Sequence, residues 1–227
     1  MQLNPVYPYK KLERGLNDQG QRRYLTPDGN KLASVTTILE ATKPLEAKQA
    51  LAAWKRRMGD KKAQAITTEA ATRGTIMHSY LEKTLLGLNP QSGTNVYHKQ
   101  GWDMAQVLIE NYLRPNLSEV WGLEANLYYP DLYAGTTDCC GLWAGQPSIV
   151  DFKQSNRPKT NERVFDYKLQ LVAYAHSHNQ LFGTDIRQGV IVMATPQLEH
   201  QCWVLRDQEF EDFSQLWWQR VAEFYKV

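Results

Sequence analysis

Asp138, Asp151 and Lys153 stand in the stretch "YAGTTDCCGLWAGQPSIVDFKQS", residues 133–155, whose other letters ask for buried strands. Side chains alternate along a strand, so in "SIVDFK" Asp151 and Lys153 share one face while Val150 and Phe152 take the other. An acid and a base are thereby set side by side. If Asp138, on the neighbouring "GTTD" strand, approaches the same spot, two carboxylates share a pocket with one cation. Such a cluster opposes its own charge unless a metal ion neutralises it, and hard oxygen donors suit Mg²⁺ or Mn²⁺. The plain alternative for the triplet alone is a surface ion pair, with Asp138 closing a turn and nothing bound.

Further polar groups stand at spacings that reach a common place. His78 and Glu82, in "RGTIMHSYLEKTL", lie four apart on one helical face, as do Gln170 and Tyr174 in "QLVAY". Taken singly, each pair also fits ordinary packing. In "WKRRM" Trp54 neighbours Lys55, Arg56 and Arg57, which suits a path for a single-stranded nucleic acid or, equally, a solvated basic face over a buried tryptophan. "SVTT" offers Ser34, Thr36 and Thr37 either as a helix cap or as a phosphate contact. Trp217 and Trp218 read as core and surface of the last helix.

The elements that position these residues follow from period and punctuation. Residues 1–33, broken by Pro5, Pro8 and "TPDGN", read as an irregular or hairpin-like lead-in with little core of its own. From Ser34 the chain predicts a short helix, a break at Lys43-Pro44, a second helix opened by Pro44, and a helical stretch over 60–87. Gly74 divides that stretch into two helices or marks a close backbone contact within one. "KQGWDMAQVLIENYL" continues the helical period until Pro115.

Three strands follow in "EVWGLEANLYYP", "LYAGTTDCCGLWA" and "PSIVDFK". A helix then runs to Gly183, two more strands lie in "RQGVIVMATP" and "EHQCWVLRD", and an amphipathic helix closes the chain. The order predicts an α/β (α+β) fold, a mixed central sheet flanked by helices. It forms one domain over 34–227, with a helical part at 34–115 and a sheet core at 118–227.

Bulk properties narrow the field. The chain, 227 residues with 42% hydrophobic and 22% charged, buries a substantial core and is not of disordered or fibrous composition. No apolar run approaches the ~20 residues that span a bilayer. The N-terminal segment has neither a secretory apolar stretch nor the acid-poor character of a transit peptide, so a cytoplasmic location is expected. Three cysteines, Cys139, Cys140 and Cys202, have no metal-type spacing and read as small buried apolar residues. A net charge of +2 decides nothing about polyanion partners, since clustering matters more than the sum.

Taken in chain order, R-G-x-x-x-H at Arg73 to His78, the strand acid Glu124, G-x-x-D at Gly135 to Asp138, D-x-K at Asp151 to Lys153 and Q-x-x-x-Y at Gln170 to Tyr174 resemble the RecB-like branch of the PD-(D/E)XK nucleases. The likeness extends to "SVTTILEAT", "LAAWKRRM" and "VDFKQS" before "QLVAYAH", as in exonucleases of that branch with organellar and phage members, and covers roughly residue 32 to the C-terminus. The resemblance implies a restriction-endonuclease-like core with an N-terminal helical elaboration.

It implies that Asp138, Asp151 and the Phe152 carbonyl hold one or two Mg²⁺ or Mn²⁺ ions, with His78 as a further ligand. Lys153 would orient the attacking water and stabilise developing charge, and Gln170 would position the motif or meet substrate. Arg73, Ser155 and Tyr174 join Ser34, Thr36, Thr37, Trp54, Arg56 and Arg57 as nucleic-acid contacts, while Glu82 and Glu124 rank lower. The chain departs from the family in having Gln154 and then Ser155 after the lysine, where Thr or Ser commonly follows directly. The long N-terminal extension of organellar members is not seen, which points to a phage or bacterial source and, if phage-encoded, to the host cytoplasm.

The expected function is a metal-dependent DNA exonuclease that prefers single strands with a free end, acts as a monomer, binds no membrane and serves phage replication, recombination or DNA breakdown alongside the proteins of those processes. The alternatives are a duplex-resecting exonuclease or endonuclease on the same fold, or a catalytically silent nucleic-acid-binding module. An iron–sulfur variant is excluded, because the cluster takes four cysteine ligands and the chain has three.

Overall fold

A computed structural model describes residues 1–226. Its centre is a nine-stranded mixed sheet in which β2 (Glu13–Leu16), β3 (Arg22–Leu25), β4 (Lys31–Ser34), β6 (Tyr133–Trp143), β7 (Gln146–Gln154), β8 (Gln188–Ala194) and β9 (His200–Leu205) follow one another, while β5 (Leu117–Tyr129) pairs with β6 and with the short β1 (Gln2–Leu3). The helices are α1 (Val35–Ala41), α2 (Leu45–Met58), α3 (Asp60–Leu85), α4 (Val96–Leu108), the single turn α5 (Arg114–Asn116), α6 (Phe165–Phe182) and α7 (Asp207–Tyr225). A π-helical turn at Ile109–Leu113 joins α4 to α5.

Two cores flank the sheet. On one face α6 and α7 pack Leu171, Val172 and Trp217 against Ile149, Ile191 and Met193. On the other, α3 and α4 pack Met77, Leu81, Met104 and Leu108 against Val150, Phe152, Val190 and Val192. Successive residues of β7 thus serve opposite cores, which is why Ser148 to Phe152 are all buried. No helix among the described residues is long and apolar enough to cross a membrane.

The helices and strands from Val35 onward lie where their periods and punctuation place them, and Gly183 closes α6 in the left-handed conformation at φ 66°. Gly74 sits inside the unbroken α3, where a Cβ would meet Gln154 at an ordinary 3.7 Å. The demanding glycine is Gly101 of α4. A Cβ there would fall 2.5 Å from Ile76 Cγ2 and 3.1 Å from the Met77 backbone nitrogen, so α3 and α4 touch through it.

Of the two readings of the lead-in, the hairpin-like one describes residues 13–34 and the irregular one does not: β2, β3 and β4 form an antiparallel meander, and β4 joins the main sheet parallel to β6 at Ala33↔Tyr133 and Ser34↔Ala134. Its strands are only four residues long and β2 is exposed throughout, so the alternation that betrays a half-buried strand is missing.

β6 is long enough to carry β4 beside its first residues and β7 beside its last, from Cys139↔Val150 to Trp143↔Gln146. Beyond Val150 the two strands part, and Asp151 to Gln154 pair only with β8. The sheet is split where the charged residues lie.

Candidate active site

At the point of parting, the Phe152 N–H has lost its partner on β6, and Asp138 supplies one: its Oδ2 accepts that N–H at 2.7 Å. One carboxylate therefore holds the split sheet together and is itself fixed by a backbone donor. Its other oxygen faces α3, where His78 Nδ1 is 3.5 Å from Asp138 Oδ1. Phe152 packs its ring into the core beneath α3 and α4, with the His78 ring edge-on at 6.0 Å.

Glu124 completes this side. The register of β5 with β6, Leu123↔Cys139 and Ala125↔Thr137, sets Glu124 across from Asp138. Its φ of 46° is a conformation that costs a non-glycine residue about 1 kcal/mol or more, and such residues gather at functional sites. The kink resets the alternation, so that Leu123 and Ala125 serve opposite cores. Ligand atoms of His78, Glu124 and Asp138 all lie within 4.8 Å of one another, a fit for a metal ion.

Asp151 and Lys153 reach toward α6. Lys153 Nζ is 2.5 Å from Asp151 Oδ2 and donates to Gln170 Oε1 at 3.2 Å. Gln170 Nε2 in turn donates to the Tyr174 hydroxyl at 3.1 Å, and the Lys153 ammonium stands 4.9 Å from the centre of the Tyr167 ring. The Cys139↔Val150 pairing sets Asp138 across from Asp151, and the charge of each group bears on the lysine between them. The residue that joins His78 and Asp138 within ligand distance is Glu124, while Asp151 is held by the lysine.

The electrostatics follow this geometry. Burial opposes charge on Asp138, but the His78 contact, Lys153 and the Phe152 N–H overcome it and hold the carboxyl below its ordinary range. Burial pushes Asp151 up to about 6, with Lys153 pulling against it and Asp138 adding to it. Burial likewise works against Lys153 and His78; Asp151 and Asp138 more than restore the lysine's charge, and Asp138 chiefly that of His78. At Glu124 partial desolvation and then Asp138 raise the carboxyl, to which Glu82, one turn along α3 from His78, also contributes. Asp151 Oδ2 is buried against the Lys153 ammonium.

Several expected nucleic-acid contacts have other duties. Arg73 is buried; it donates to Glu69 at 2.7 Å and Gln100 at 3.3 Å, and reaches Asn156 at 2.7 Å, so it clamps α3 to the turn after β7. Tyr174 is buried against Gly135, where a Cβ would lie 2.7 Å from the ring. Ser34 is the N-cap of α1, accepting from the Thr37 N–H at 3.0 Å, while its hydroxyl also meets those of Thr36 and Thr37 at 3.0 and 2.8 Å. The cap reading of "SVTT" holds and its hydroxyls are engaged. The Ser155 hydroxyl is spent on the Arg157 carbonyl at 2.7 Å.

Arg56 and Arg57 are exposed on α2, a helix with no buried residue, and Trp54 beside them is half-buried. Tyr167 was missed, although Tyr167, Gln170 and Tyr174 stand at i, i+3 and i+7 on one helical face, the signal that finds it. Lys159, 5.7 Å from the centre of the same ring, was missed for lack of any periodic element around it.

A mixed sheet parted at a D-x-K strand, with the histidine helix on one face and the Gln–Tyr helix on the other, defines the PD-(D/E)XK-like nuclease fold, and the resemblance read from the motifs is borne out. Over 175 residues, 73% of this chain and 50% of the relative, the sequence is 30% identical to mitochondrial genome maintenance exonuclease 1 of Mus musculus. The human protein of that name is 28% identical over 173 residues, 73% and 49% of the two chains. The chain spans about half the length of the curated relatives it matches. A crystal structure from Eubacterium rectale, assigned as an exonuclease, superposes with a TM-score of 0.50 at 18% identity, over 70% of this chain and 65% of the other. No protein-family model matches the chain.

Proposed function

We propose that this chain is a divalent-metal-dependent DNA exonuclease, using Mg²⁺ or Mn²⁺ and working on single strands from a free end in genome replication, recombination or DNA breakdown. The observation that carries the reading is the constellation at the split sheet: His78, Glu124 and Asp138 within metal-ligand distance, beside a lysine locked against Asp151. The relatives named as exonucleases support the reaction class. The protruding α2, with Trp54 beside exposed Arg56 and Arg57, supports a single-strand path.

His78, Glu124 and Asp138 would hold the ion, with the Asp151 carboxylate and the Phe152 carbonyl as adjoining donors. Such an ion would make a bound water more acidic and clamp phosphate oxygens. The protein's own share is positioning. Asp138 stays ionised because the Phe152 N–H and His78 favour its charge. Lys153 stays protonated between Asp151 and Asp138, and Gln170 and Tyr167 fix its ammonium in place. A fixed positive charge at that point stabilises the charge growing on the phosphate with no reorganisation when the transition state forms.

The test is digestion of end-labelled linear single-stranded DNA in Mg²⁺, beside linear duplex and circular single strands, with Asp151→Asn as control. Loss of the linear single strand alone, abolished in the variant, is the expected result. Cutting of the circle makes the protein an endonuclease, preferred loss of duplex makes it a resecting enzyme, and no cutting by wild type leaves a binding module.

A further inference from the structure

A cavity of about 1040 Å³ opens beside the metal cluster and is walled by the segment Tyr9–Arg14 on one side and by β5 and β6 on the other. Its floor is the next cross-strand row of the sheet. Asn126↔Thr136 are paired neighbours, two residues along from Glu124 and Asp138, so the floor lies about 7 Å from the cluster. Glu124 belongs to both, closing the cavity at one end and completing the metal cluster at the other.

Lys10, Lys11 and Arg14 project around this space, all three exposed and none with an ion-pair partner among the described residues. Two acids, Glu13 and Glu124, also line it, so the balance is one positive charge before a cation enters the cluster.

The wall is built. Tyr9 lies flat on β5, where a Cβ at Gly122 would fall 2.4 Å from its ring, and its hydroxyl is 2.9 Å from His178 Nε2. The Leu12 N–H donates to Asn126 Oδ1 at 2.7 Å, Asn126 Nδ2 donates to the Thr136 hydroxyl at 2.7 Å, and the Tyr24 hydroxyl is 3.1 Å from the same Thr136 oxygen. From Glu13 the chain is carried in β2. Cations mounted on an anchored segment lose less freedom on engaging a ligand than those on a loose tail.

We propose that this groove is a second nucleic-acid subsite, in which Lys10, Lys11 and Arg14 bind the phosphodiester backbone of a single strand next to the nucleotide at the metal cluster. The inference rests on the nuclease reading above. In this arrangement the lead-in keeps the strand on one line as it passes the split sheet.

The experiment is the salt dependence of binding to a fluorescent single-stranded 20-mer in EDTA, run beside the Mg²⁺ digestion assay. Neutralising three backbone contacts with Lys10→Ala, Lys11→Ala and Arg14→Ala together flattens the slope of log K against log salt by about 2, since each contact contributes about 0.7 on single strands. Lys10→Arg with Lys11→Arg retains the wild-type slope. Arg187→Ala with Arg206→Ala, at a separate cavity bordered by Gln146 at the other end of β7, leaves it unchanged.

A triple variant with unaltered slope, in a protein that cuts, overturns the groove and leaves the nuclease reading intact. A wild type that binds but does not cut removes the nuclease reading, and the slope then decides the groove separately. A wild type that neither binds nor cuts overturns both.

Discussion

Lys153 and Asp151 touch at 2.5 Å, and a contact of that kind serves equally to stabilise a fold or to hold a charge ready. The surrounding residues separate the two roles. Lys153→Ala, on the present account, lowers the rate of digestion by about 10²–10³-fold while affinity for single-stranded DNA in EDTA stays within a factor of a few. Equal losses in both measurements contradict it. Glu124 bears on the ligand set: Glu124→Gln keeps the size of the side chain and removes a charged donor, so Mn²⁺ binding weakens about tenfold or more, whereas Glu82→Gln has little effect. Strand alternation raised Asp138, Asp151 and Lys153 as candidates, and the family resemblance gave them and His78 their roles. It hid the weight of Glu124, because a positive φ and a register across two strands are properties of the fold.

At the level of elements, the site depends on an antiparallel pair that stops pairing halfway. Val150 is the last residue of β7 bonded to β6, and the Asp138 side chain takes over from the backbone at Phe152. Behind it, Tyr174 rests on Gly135 of β6 and carries Gln170, which aims Lys153. Gly135→Ala therefore displaces the Tyr174 ring and acts through two hydrogen bonds on the lysine. Its kcat falls while the Kd for DNA is unchanged, and an unaltered kcat in a folded variant rules the linkage out. Across the sheet, Gly101→Ala forces α4 from the Met77 backbone and lowers stability by about 1–3 kcal/mol in chemical denaturation. The long helices and the five strands after Leu117 were legible because their periods are unbroken. The meander at Glu13–Ser34 was legible only as a hairpin-like lead-in, since its strands are four residues long and the outermost, β2, is wholly exposed.

In the whole molecule, the N-terminal segment is tied to the far side of the sheet through His178, whose ring is 2.9 Å from the Tyr9 hydroxyl and 2.8 Å from the Thr184 hydroxyl, amid Tyr7, Trp121 and Phe182. Burial lowers this histidine from its ordinary value near 6.5 to about 4. The folded protein keeps it neutral where the unfolded chain takes up a proton. The stability it protects is therefore complete above pH 6.5 and is lost as pH falls from 6.5 through 4, in total about 3 kcal/mol. His178→Gln removes that part of the acid slope of thermal midpoint against pH, and identical slopes in both proteins contradict the assignment. The claim on which everything else depends is that a divalent ion sits among His78, Glu124 and Asp138. Calorimetric titration of Mg²⁺ and Mn²⁺ into the protein with a single-stranded oligonucleotide present tests it most directly. Saturable binding at millimolar concentration or below, absent in Asp138→Asn, is the predicted result; no saturable binding by the wild type contradicts the account.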